Sequence, residues 1–263
     1  MVPSLTVTIA ITNYNHGRYL RGAVESALVQ THRAIRVVVI DDGSTDDSHA
    51  ILDALPDTVE VLRQENRGVV EARNRLLETV GTSHVVFLDA DNYLLPGFLR
   101  WHVAAWQVPH GRRLALTYSP ARNIGADGEI GHLHSGPWSP GRLGTQNYID
   151  NTALFLRAAL QDVGGYSTAY AGIGHEDWDL MLKLVDHNWN GRMVPRPLFV
   201  YRTLARSRNE ESLADGGRSV SDAIQRDHPW TAVPPVVGRL ERLHVKATNP
   251  LQTFYRRWDS RGL

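Results

Sequence analysis

Val85-Val86-Phe87-Leu88-Asp89-Ala90-Asp91 is a run of four apolar residues that ends in two aspartates one residue apart. A short apolar run of this kind predicts a strand buried inside a sheet that helices cover. Asn92 and Tyr93 follow, and then Pro96, so the pattern indicates a strand, a loop and a helix that begins at Pro96. Carboxylates at the carboxyl end of such a strand lie where α/β sheets bind ligands.

The first hundred residues alternate strand-like and helix-like segments with short connections, which predicts an α/β domain with a mostly parallel central sheet and helices on both faces. The predicted strands are 5–12, 35–40, 59–62 and 84–88, and the predicted helices are 18–29, 44–55 (capped by Ser44) and 69–80. Polar residues follow each strand: Asn13-Tyr14-Asn15, Asp41-Asp42, Glu65-Asn66-Arg67-Gly68 and Asp89-Ala90-Asp91. This edge of the sheet is the predicted nucleotide site.

The second half of the chain is less regular. We predict helices at 96–108, 158–163 and 176–185, strands at 114–118 and 149–156, and one or two closing strands at 194–201. Ala126-Asp127-Gly128 predicts a hairpin turn. The stretch 131–144, rich in Gly, Pro and Ser, is interpreted either as a mobile loop over a site or as an ordinary surface loop.

Composition narrows the class of protein. A chain of 263 residues with 42% hydrophobic content can bury a large core. Its 28 basic and 28 acidic residues balance, so a nucleic acid partner has no global electrostatic support. The absence of cysteine excludes thiolate nucleophiles and Cys-based zinc sites. We find neither a signal peptide nor an apolar run long enough to span a bilayer, and expect a cytoplasmic protein.

Five ordered segments together resemble the inverting nucleotide-sugar glycosyltransferases of family 2, which have the GT-A fold. The segments are Thr8-Ile9-Ala10-Ile11-Thr12-Asn13-Tyr14-Asn15, Val39-Ile40-Asp41-Asp42-Gly43-Ser44-Thr45-Asp46, Asn66-Arg67-Gly68-Val69-Val70-Glu71-Ala72-Arg73-Asn74, Phe87-Leu88-Asp89-Ala90-Asp91-Asn92 and His175-Glu176-Asp177-Trp178-Asp179-Leu180. The resemblance covers the chain from about Thr6 to Arg202. It implies a Rossmann-like sheet and transfer of one sugar from a nucleoside-diphosphate sugar to an acceptor hydroxyl.

The resemblance implies which residues bind the nucleotide. Thr12, Tyr14 and Asp42 would hold the base, Tyr14 by stacking and Asp42 by accepting from a ring N–H, which favours uracil and a UDP-sugar. Arg73 would provide a cationic contact. Tyr14 packed on the sheet, Asp42 as a turn-former before Gly43, and Arg73 on a solvated charged face remain open alternatives.

The resemblance places Asp89, Ala90 and Asp91 at a divalent metal, Mn²⁺ or Mg²⁺, that neutralises the departing diphosphate. Asp91 is the preferred direct ligand, with Asp89 toward the ribose or a metal-bound water. Many family members add a His in a Tyr-Arg-x-His pattern, where this chain has Tyr201-Arg202-Thr203-Leu204. The third ligand is therefore not identified, and water or phosphate would complete the site.

Inversion needs a base on the face of the sugar opposite the diphosphate. The resemblance implies that Asp177 is this base and that Glu176 orients the acceptor or raises the pKa of Asp177 by like charge. Helix capping is the alternative for both residues, and we interpret Asp179 as structural. The aromatic residues Trp138, Tyr170 and Trp178 either line the acceptor site or pack in the core.

Three other functions stay open at this stage. The strand-terminal Asp89-Ala90-Asp91 is also similar to the haloacid-dehalogenase-type phosphatases, which place the motif near the N-terminus instead of on a fourth strand. A non-catalytic protein that binds a nucleotide sugar or a partner could share the fold. The third alternative is sugar transfer with retention of the anomeric configuration. Only the stereochemistry of the product separates retention from inversion.

We expect a glycosyltransferase domain at 1–204, with a nucleotide-sugar half at 1–95 and an acceptor half at 96–204, and an extension at 205–263. From Pro234 the extension carries six basic and two acidic residues interleaved with apolar ones. It either rests on an anionic membrane surface at the inner face, or packs on the domain or on a second subunit as a homodimer. The acceptor could be a glycan, a lipid-linked saccharide, a protein or a small molecule.

Overall fold

The structure is a computed structural model that describes residues 5–32, 35–109, 113–125, 128–133, 135–204 and 218–231. The predicted extension from Pro234 lies outside these residues. The strands are β1 Val7–Asn13, β2 Ile35–Asp42, β3 Val59–Gln64, β4 His84–Asp89, β5 Tyr93–Leu94, β6 Leu114–Tyr118, β7 Ala121–Gly125, β8 Gly128–Leu133, β9 Leu154–Leu156, β10 Asn190–Met193 and β11 Phe199–Arg202.

The helices alternate with these strands. They are α1 Gly17–Leu28, α2 Ser48–Asp53, α3 Val69–Thr79, α4 Phe98–Gln107, α5 Pro140–Leu143, α6 Arg157–Asp162, α7 Glu176–Asp186 and α8 Arg218–Asp227. A single 3₁₀ turn at Thr168–Tyr170 precedes α7. Apolar residues at helical spacing account for the docking of α1, whose buried face consists of Leu20, Ala23, Val24 and Ala27.

The main sheet has the strand order β10-β6-β9-β4-β1-β2-β3 among the described residues. β1 lies at its centre and pairs in parallel with β2 and β4, and β2 pairs in parallel with β3. β9 is antiparallel to both β4 and β6. A second sheet has the strand order β5-β11-β7-β8. The mostly parallel sheet that the sequence predicts is confirmed.

Helices cover both faces of the main sheet, as predicted. Every residue of β1 is buried, because one set of its side chains packs against α1 and α4 and the alternate set packs against α3 and α7. Ile9 and Ile11 lie in the first cluster with Leu20 and Phe98. Ala10 lies in the second cluster, which contains residues of α3, α6 and α7. A core on each face holds the carboxyl ends of the central strands in one rigid edge.

Ser44 does not cap the second helix, and that prediction is wrong. The helix begins at Ser48, whose backbone N–H donates to Asp46 Oδ1 at 3.0 Å. Ser44 instead donates from Oγ to Asp41 Oδ1 at 2.5 Å and accepts from the Asn15 backbone N–H at 2.9 Å. Its hydroxyl is therefore used in the loop that follows β2, where it joins Asp41 at the end of β2 to Asn15 just after β1.

Two other boundaries differ from the predictions. The predicted strand 149–156 is reduced to β9, because Asn151 and Thr152 bond to Tyr166 and Asp150 instead of to a neighbouring strand. The segment 131–144 is not wholly irregular, since β8 extends into it and α5 ends it. Ser139 caps α5 by accepting from the Arg142 backbone N–H at 3.3 Å. The predicted hairpin is confirmed, with β7 and β8 antiparallel and Gly125 opposite Gly128.

Candidate active site

The predicted nucleotide edge forms where β1, β2 and β4 end side by side. Thr12 lies opposite Asp89 in the pairing of β1 with β4, and Asn13 lies opposite Asp41 in the pairing of β1 with β2. Thr12 donates from Oγ1 to Asp89 Oδ1 at 2.9 Å. The Ala90 backbone N–H donates to the Thr12 carbonyl at 3.0 Å. These bonds fix the Asp-Ala-Asp segment against the central strand.

Arg73 connects the two acidic pairs of the sequence. Its guanidinium donates to Asp89 Oδ1 at 2.8 Å and to Glu176 Oε1 at 2.6 Å. The side chain is 3% exposed, so the alternative of a solvated charged face is wrong for this residue. Burial acts to lower the pKa of Arg73, but the negative charges of Asp89 and Glu176 raise it overall and keep the group cationic. One buried cation thus holds both carboxylates in place.

Asp177 lies in the first turn of α7, beside this ion-pair network. Its Oδ1 accepts from Asn147 Nδ2 at 3.1 Å and from the Trp178 backbone N–H at 2.8 Å. No described residue donates a hydrogen bond to Oδ2. Burial raises the pKa of Asp177, and the neighbouring charge of Glu176 raises it further. A carboxylate with one unengaged oxygen and a raised pKa is suited to accept a proton.

The backbone before α7 contributes to this geometry. His175 has φ of 63° and ψ of 23°, a left-handed conformation that is uncommon for residues other than glycine. It immediately precedes Glu176 and Asp177 and turns the chain into the helix. Such conformations concentrate at functional sites, where the surrounding fold offsets their strain.

Asp150 and Tyr201 complete a group of acidic and phenolic side chains that the sequence analysis missed. Burial raises the pKa of Asp150 to about 6, and the charges of Asp177 and Asp89 add to the shift. Burial also raises the pKa of Tyr201, and the charges of Asp150, Asp89, Asp91 and Asp177 raise it further. All four carboxylates therefore lie close enough to the Tyr201 hydroxyl to act on it electrostatically.

Asp42 is bound by the loop that follows β3. Its Oδ1 accepts from Gln64 Nε2 at 2.7 Å and from the Arg67 backbone N–H at 2.9 Å, and its Oδ2 accepts from the Gly68 backbone N–H at 2.8 Å. Gly43 makes the approach of this loop possible. Its φ is 75°, and a Cβ there would lie 2.7 Å from the Asn66 backbone nitrogen. Asp42 therefore does more than form a turn, since it organises two loops of the edge.

The remaining predicted residues differ in exposure. Tyr14 is 45% exposed at the same edge, so its ring is not packed into the sheet. Asp91 is half-buried, and its carbonyl accepts from Arg202 Nε at 3.1 Å. Asp179 is buried and bonds to His228 on the far side of α7, at 3.0 Å between Oδ1 and Nε2. This arrangement agrees with a structural role for Asp179.

The aromatic side chains considered for the acceptor site pack in the protein. Trp178 is 5% exposed and donates from Nε1 to the Leu143 carbonyl at 2.7 Å. Tyr170 is 1% exposed. Trp138 is half-buried and lies against Tyr118, with 6.4 Å between the ring centroids. Packing is thus the role that the geometry gives Trp178 and Tyr170.

Asp89 and Asp91 are the acidic residues at the end of β4 that could bind a divalent metal. The parts of the chain that the structure describes contain no group of three or more His, Asp or Glu that could hold a metal ion. Asp89 Oδ1 already accepts from Arg73 and Thr12. Carboxylate oxygens suit Mg²⁺ and Mn²⁺, which commonly take further ligands from water and substrate phosphates. The donor set fits a metal held by few protein oxygens and completed by the diphosphate.

Sequence signals for the missed residues were present but weak. Asp150-Asn151-Thr152 is a polar interruption inside an otherwise apolar stretch. These residues belong to the predicted strand 149–156 but lie outside β9. Asn147 lies in the same connection between α5 and β9. A polar interruption of this kind indicates a loop with its own hydrogen bonds, but it does not identify the helix that the loop approaches.

The fold is that of the GT-A glycosyltransferases. It superposes on the crystal structure of Staphylococcus aureus TarS residues 1–349 in complex with UDP-GlcNAc with a TM-score of 0.68 and 16% identity, covering 88% of this chain and 68% of that one. It also resembles the mannosyltransferase PcManGT from Pyrobaculum calidifontis in complex with GDP-Man and Mn²⁺, with a TM-score of 0.64 and 17% identity, covering 89% and 67%.

The chain belongs to glycosyl transferase family 2, whose profile matches residues 8–164. Among curated relatives, it is 37% identical to an uncharacterized glycosyltransferase of Nostoc sp. over 108 residues, which is 40% of this chain and 34% of that protein. It is 30% identical to the chondroitin synthase of Escherichia coli over 183 residues, 68% of this chain and 26% of that protein.

The match thus spans about a third or less of these relatives' length. No helix in the described part of the chain is both long and apolar enough to cross a membrane.

Proposed function

We propose that this protein transfers one sugar from a nucleoside-diphosphate sugar to an acceptor hydroxyl, with inversion at the anomeric carbon. The single observation that carries the proposal is the Asp89–Arg73–Glu176 network, which holds the end of β4 next to the first turn of α7. This network supports a proposal in which the predicted leaving-group site and the predicted base lie next to each other. Inverting displacement needs these two functions on opposite sides of one sugar.

On the acceptor side, Asp177 acts as the general base. The acceptor oxygen forms its bond to the anomeric carbon as the bond from that carbon to the diphosphate oxygen breaks, and the hydroxyl proton passes to Asp177. Glu176 accepts a hydrogen bond from Arg73 at Oε1. Its role is therefore to raise the pKa of Asp177 and to hold the start of α7. This geometry supports proton acceptance by Asp177 and not by Glu176.

On the donor side, Asp91 is the favoured direct metal ligand, and Asp89 and Ala90 form the rest of the binding segment. Asp89 Oδ1 is engaged by Arg73 and Thr12, which makes Asp89 the weaker candidate for direct coordination. A divalent metal supplies positive charge to the departing diphosphate. The Arg73 cation stays paired with Asp89 and Glu176 and holds the donor site in place through Asp89. This role differs from the direct nucleotide contact that the sequence predicts.

The donor is proposed to be a UDP-sugar. Tyr14 is exposed just after β1, and Asp42 ends β2, the strand that pairs with β1. A carboxylate accepts from the imide N–H of uracil, and among the described residues Asp42 Oδ2 accepts one backbone hydrogen bond, from Gly68. The two solved neighbours hold UDP-GlcNAc and GDP-Man, so guanine is the competitor that the experiment must exclude.

The proposed donor-binding and proton-transfer residues lie in different halves of the domain. Residues 1–95 provide the donor side with Thr12, Tyr14, Asp42, Arg73, Asp89 and Asp91, and residues 96–204 provide Glu176 and Asp177. The acceptor remains a class of hydroxyl compounds: a glycan, a lipid-linked saccharide, a protein or a small molecule. Contact of the extension with a membrane surface or a second subunit is part of the same proposal.

Calorimetric titration with UDP, GDP, dTDP and CDP, each with Mn²⁺ and with EDTA, tests the proposal. Selective, metal-dependent binding of UDP is the expected result. Binding of GDP instead would correct the donor class and leave the reaction type intact. Failure to bind any of the four nucleotides would overturn the proposal and favour a non-catalytic partner-binding role. Analysis of the anomeric configuration of the product then separates inversion from retention.

A further inference from the structure

A cleft of about 340 Å³ opens beside Asp91, on the side of the site that faces α1. We call it the arginine cleft. Its polar and aromatic walls are Arg18, Tyr19, Asp91, Asn92, Tyr93 and Arg202. None of the residues assigned to the nucleobase or to proton transfer lines it. The cleft is therefore adjacent to the predicted metal ligand and separate from the base.

The position of β11 explains this separation. Successive side chains of a strand point to opposite faces. Tyr201 lies within electrostatic reach of Asp150 and Asp177, whereas the Arg202 guanidinium carbon lies 4.5 Å from the centroid of the Tyr19 ring. One strand thus contributes a residue to the acceptor side and the next residue to the arginine cleft.

The side chains of Arg18 and Arg202 make few other contacts among the described residues. Arg202 donates from Nε to the Asp91 carbonyl at 3.1 Å and stacks on Tyr19. Arg18 is exposed, and its contact in the described structure is with the Tyr19 ring, 5.4 Å from guanidinium carbon to centroid. Described residues accept no hydrogen bond from the Nη atoms of either arginine. Both guanidinium groups can therefore donate to a ligand without breaking an existing bond.

The chemistry of the walls specifies the ligand. Among the described wall residues, two arginines accompany one carboxylate, that of Asp91, and a divalent metal on Asp91 would add positive charge. Arginine forks match phosphate oxygens with paired N–H donors. A sugar without charge would gain little from two guanidinium groups, whereas a phosphate would gain charge-assisted hydrogen bonds.

We propose that the arginine cleft binds a phosphate group and that Arg18 and Arg202 are its ligands. The inference rests on the proposed function and extends it, because it assigns cationic residues of this chain to a site where the Tyr-Arg-x-His pattern lacks its histidine. The phosphate belongs either to the donor diphosphate or to a phosphorylated acceptor. Both sources present the same chemistry to the cleft, and the experiment distinguishes them.

The experiment uses the full chain and its Arg18→Ala, Arg202→Ala and Arg202→Lys variants. Arg21→Ala is the matched control, since Arg21 is an exposed arginine on the same helix that does not line the cleft. In the first arm, UDP and uridine are titrated by calorimetry with Mn²⁺ and with EDTA. In the second arm, glycerol 3-phosphate is titrated in the presence of saturating UDP and Mn²⁺. Circular dichroism verifies the fold of each variant.

If the donor diphosphate occupies the cleft, Arg18→Ala and Arg202→Ala weaken UDP binding about tenfold or more and leave uridine binding unchanged. Arg202→Lys then retains part of the affinity, and Arg21→Ala retains all of it. If an acceptor phosphate occupies it, the same losses appear for glycerol 3-phosphate alone. Arg18→Ala is the safer variant, because the described hydrogen bond to the Asp91 carbonyl comes from Arg202 and not from Arg18.

Unchanged binding of both phosphate probes in Arg18→Ala and Arg202→Ala would overturn the inference. Equal losses of UDP and uridine affinity would also overturn it, because they would show general damage to the nucleotide site. Wild-type protein that binds UDP while its arginine variants bind equally well contradicts the inference alone. Wild-type protein that binds no nucleotide and no glycerol 3-phosphate contradicts the inference and the proposed function together.

Discussion

Arg73 Nη1 lies 2.6 Å from Glu176 Oε1, although 103 residues separate the two in the chain. The pair is buried, and the other terminal nitrogen of Arg73 binds Asp89. Replacing a whole buried ion pair by apolar groups is often tolerated, but removing one partner leaves an uncompensated buried charge. The network therefore fixes the geometry of the site and also affects the stability of the fold.

Arg73→Ala is expected to destabilise the protein by about 3–5 kcal/mol, because it leaves Glu176 and Asp89 without their cation. Urea unfolding followed by circular dichroism measures the change. Arg75→Ala is the matched control, since Arg75 lies on the same helix and bonds at the surface to the Arg63 carbonyl and Gln64. Equal stability of the two variants would contradict an organising role for Arg73.

Asp91→Ala is expected to remove the metal dependence of UDP binding. The affinity measured with Mn²⁺ should fall to the value measured with EDTA, because the charge that links the metal to the protein is lost. Calorimetry with and without the chelator measures this difference. A variant that keeps the full effect of Mn²⁺ would move the metal away from Asp91.

Asp177→Asn is expected to keep UDP affinity and to lower kcat by about 10²- to 10⁴-fold, since asparagine cannot accept the acceptor proton. Donor titration and a transfer assay, run on the same preparation, separate the two effects. Asp57→Asn, at an exposed turn, is the control. Loss of donor affinity in Asp177→Asn would show that Asp177 belongs to the donor site.

Asn147→Ala is expected to shift the acid limb of the kcat profile to higher pH. The hydrogen bond from Asn147 lowers the pKa of Asp177, so its removal raises that pKa. The groups that also act on Asp177 are Glu176, His175 and Arg73, and this variant leaves them in place. The neighbouring exposed Gln146→Ala is the control. An unshifted acid limb with lower kcat would reduce Asn147 to a packing role.

His228 is expected to make stability depend on pH. Burial acts to lower its pKa, but hydrogen bonds to Asp179 and Asp186 raise it overall. Since the folded pKa exceeds the unfolded value of about 6.5, this contribution is complete below about pH 6.5 and is lost as the pH rises through the folded pKa.

Urea unfolding between pH 5.5 and 9 tests this expectation for His228. His228→Gln should be less stable than wild type at low pH, and the difference should shrink at high pH. A difference between His228→Gln and wild type that is constant over the whole range would assign the loss to packing.

The fold was predictable because its signals are local. The central strands are short apolar runs that end in polar residues, and α1 and α3 show helical spacing, so their bounds were predicted to within a few residues. The errors occur where polar side chains bond within a loop. Ser44 joined the turn of Asp41, and Asn151 and Thr152 ended a predicted strand early. Propensity cannot show which partner a polar side chain takes.

The sequence by itself determined the family and the acidic residues at the end of β4 and the start of α7. The order and spacing of the family's motifs can be read directly from the sequence. Only the tertiary structure decided that Arg73 joins these two ends, that Asn147 and Asp150 approach Asp177, and that Arg202 faces Arg18 across a cleft. Each of these relationships is a contact between segments far apart in sequence. Such contacts depend on how helices pack on the sheet, and no local pattern of residues records that packing.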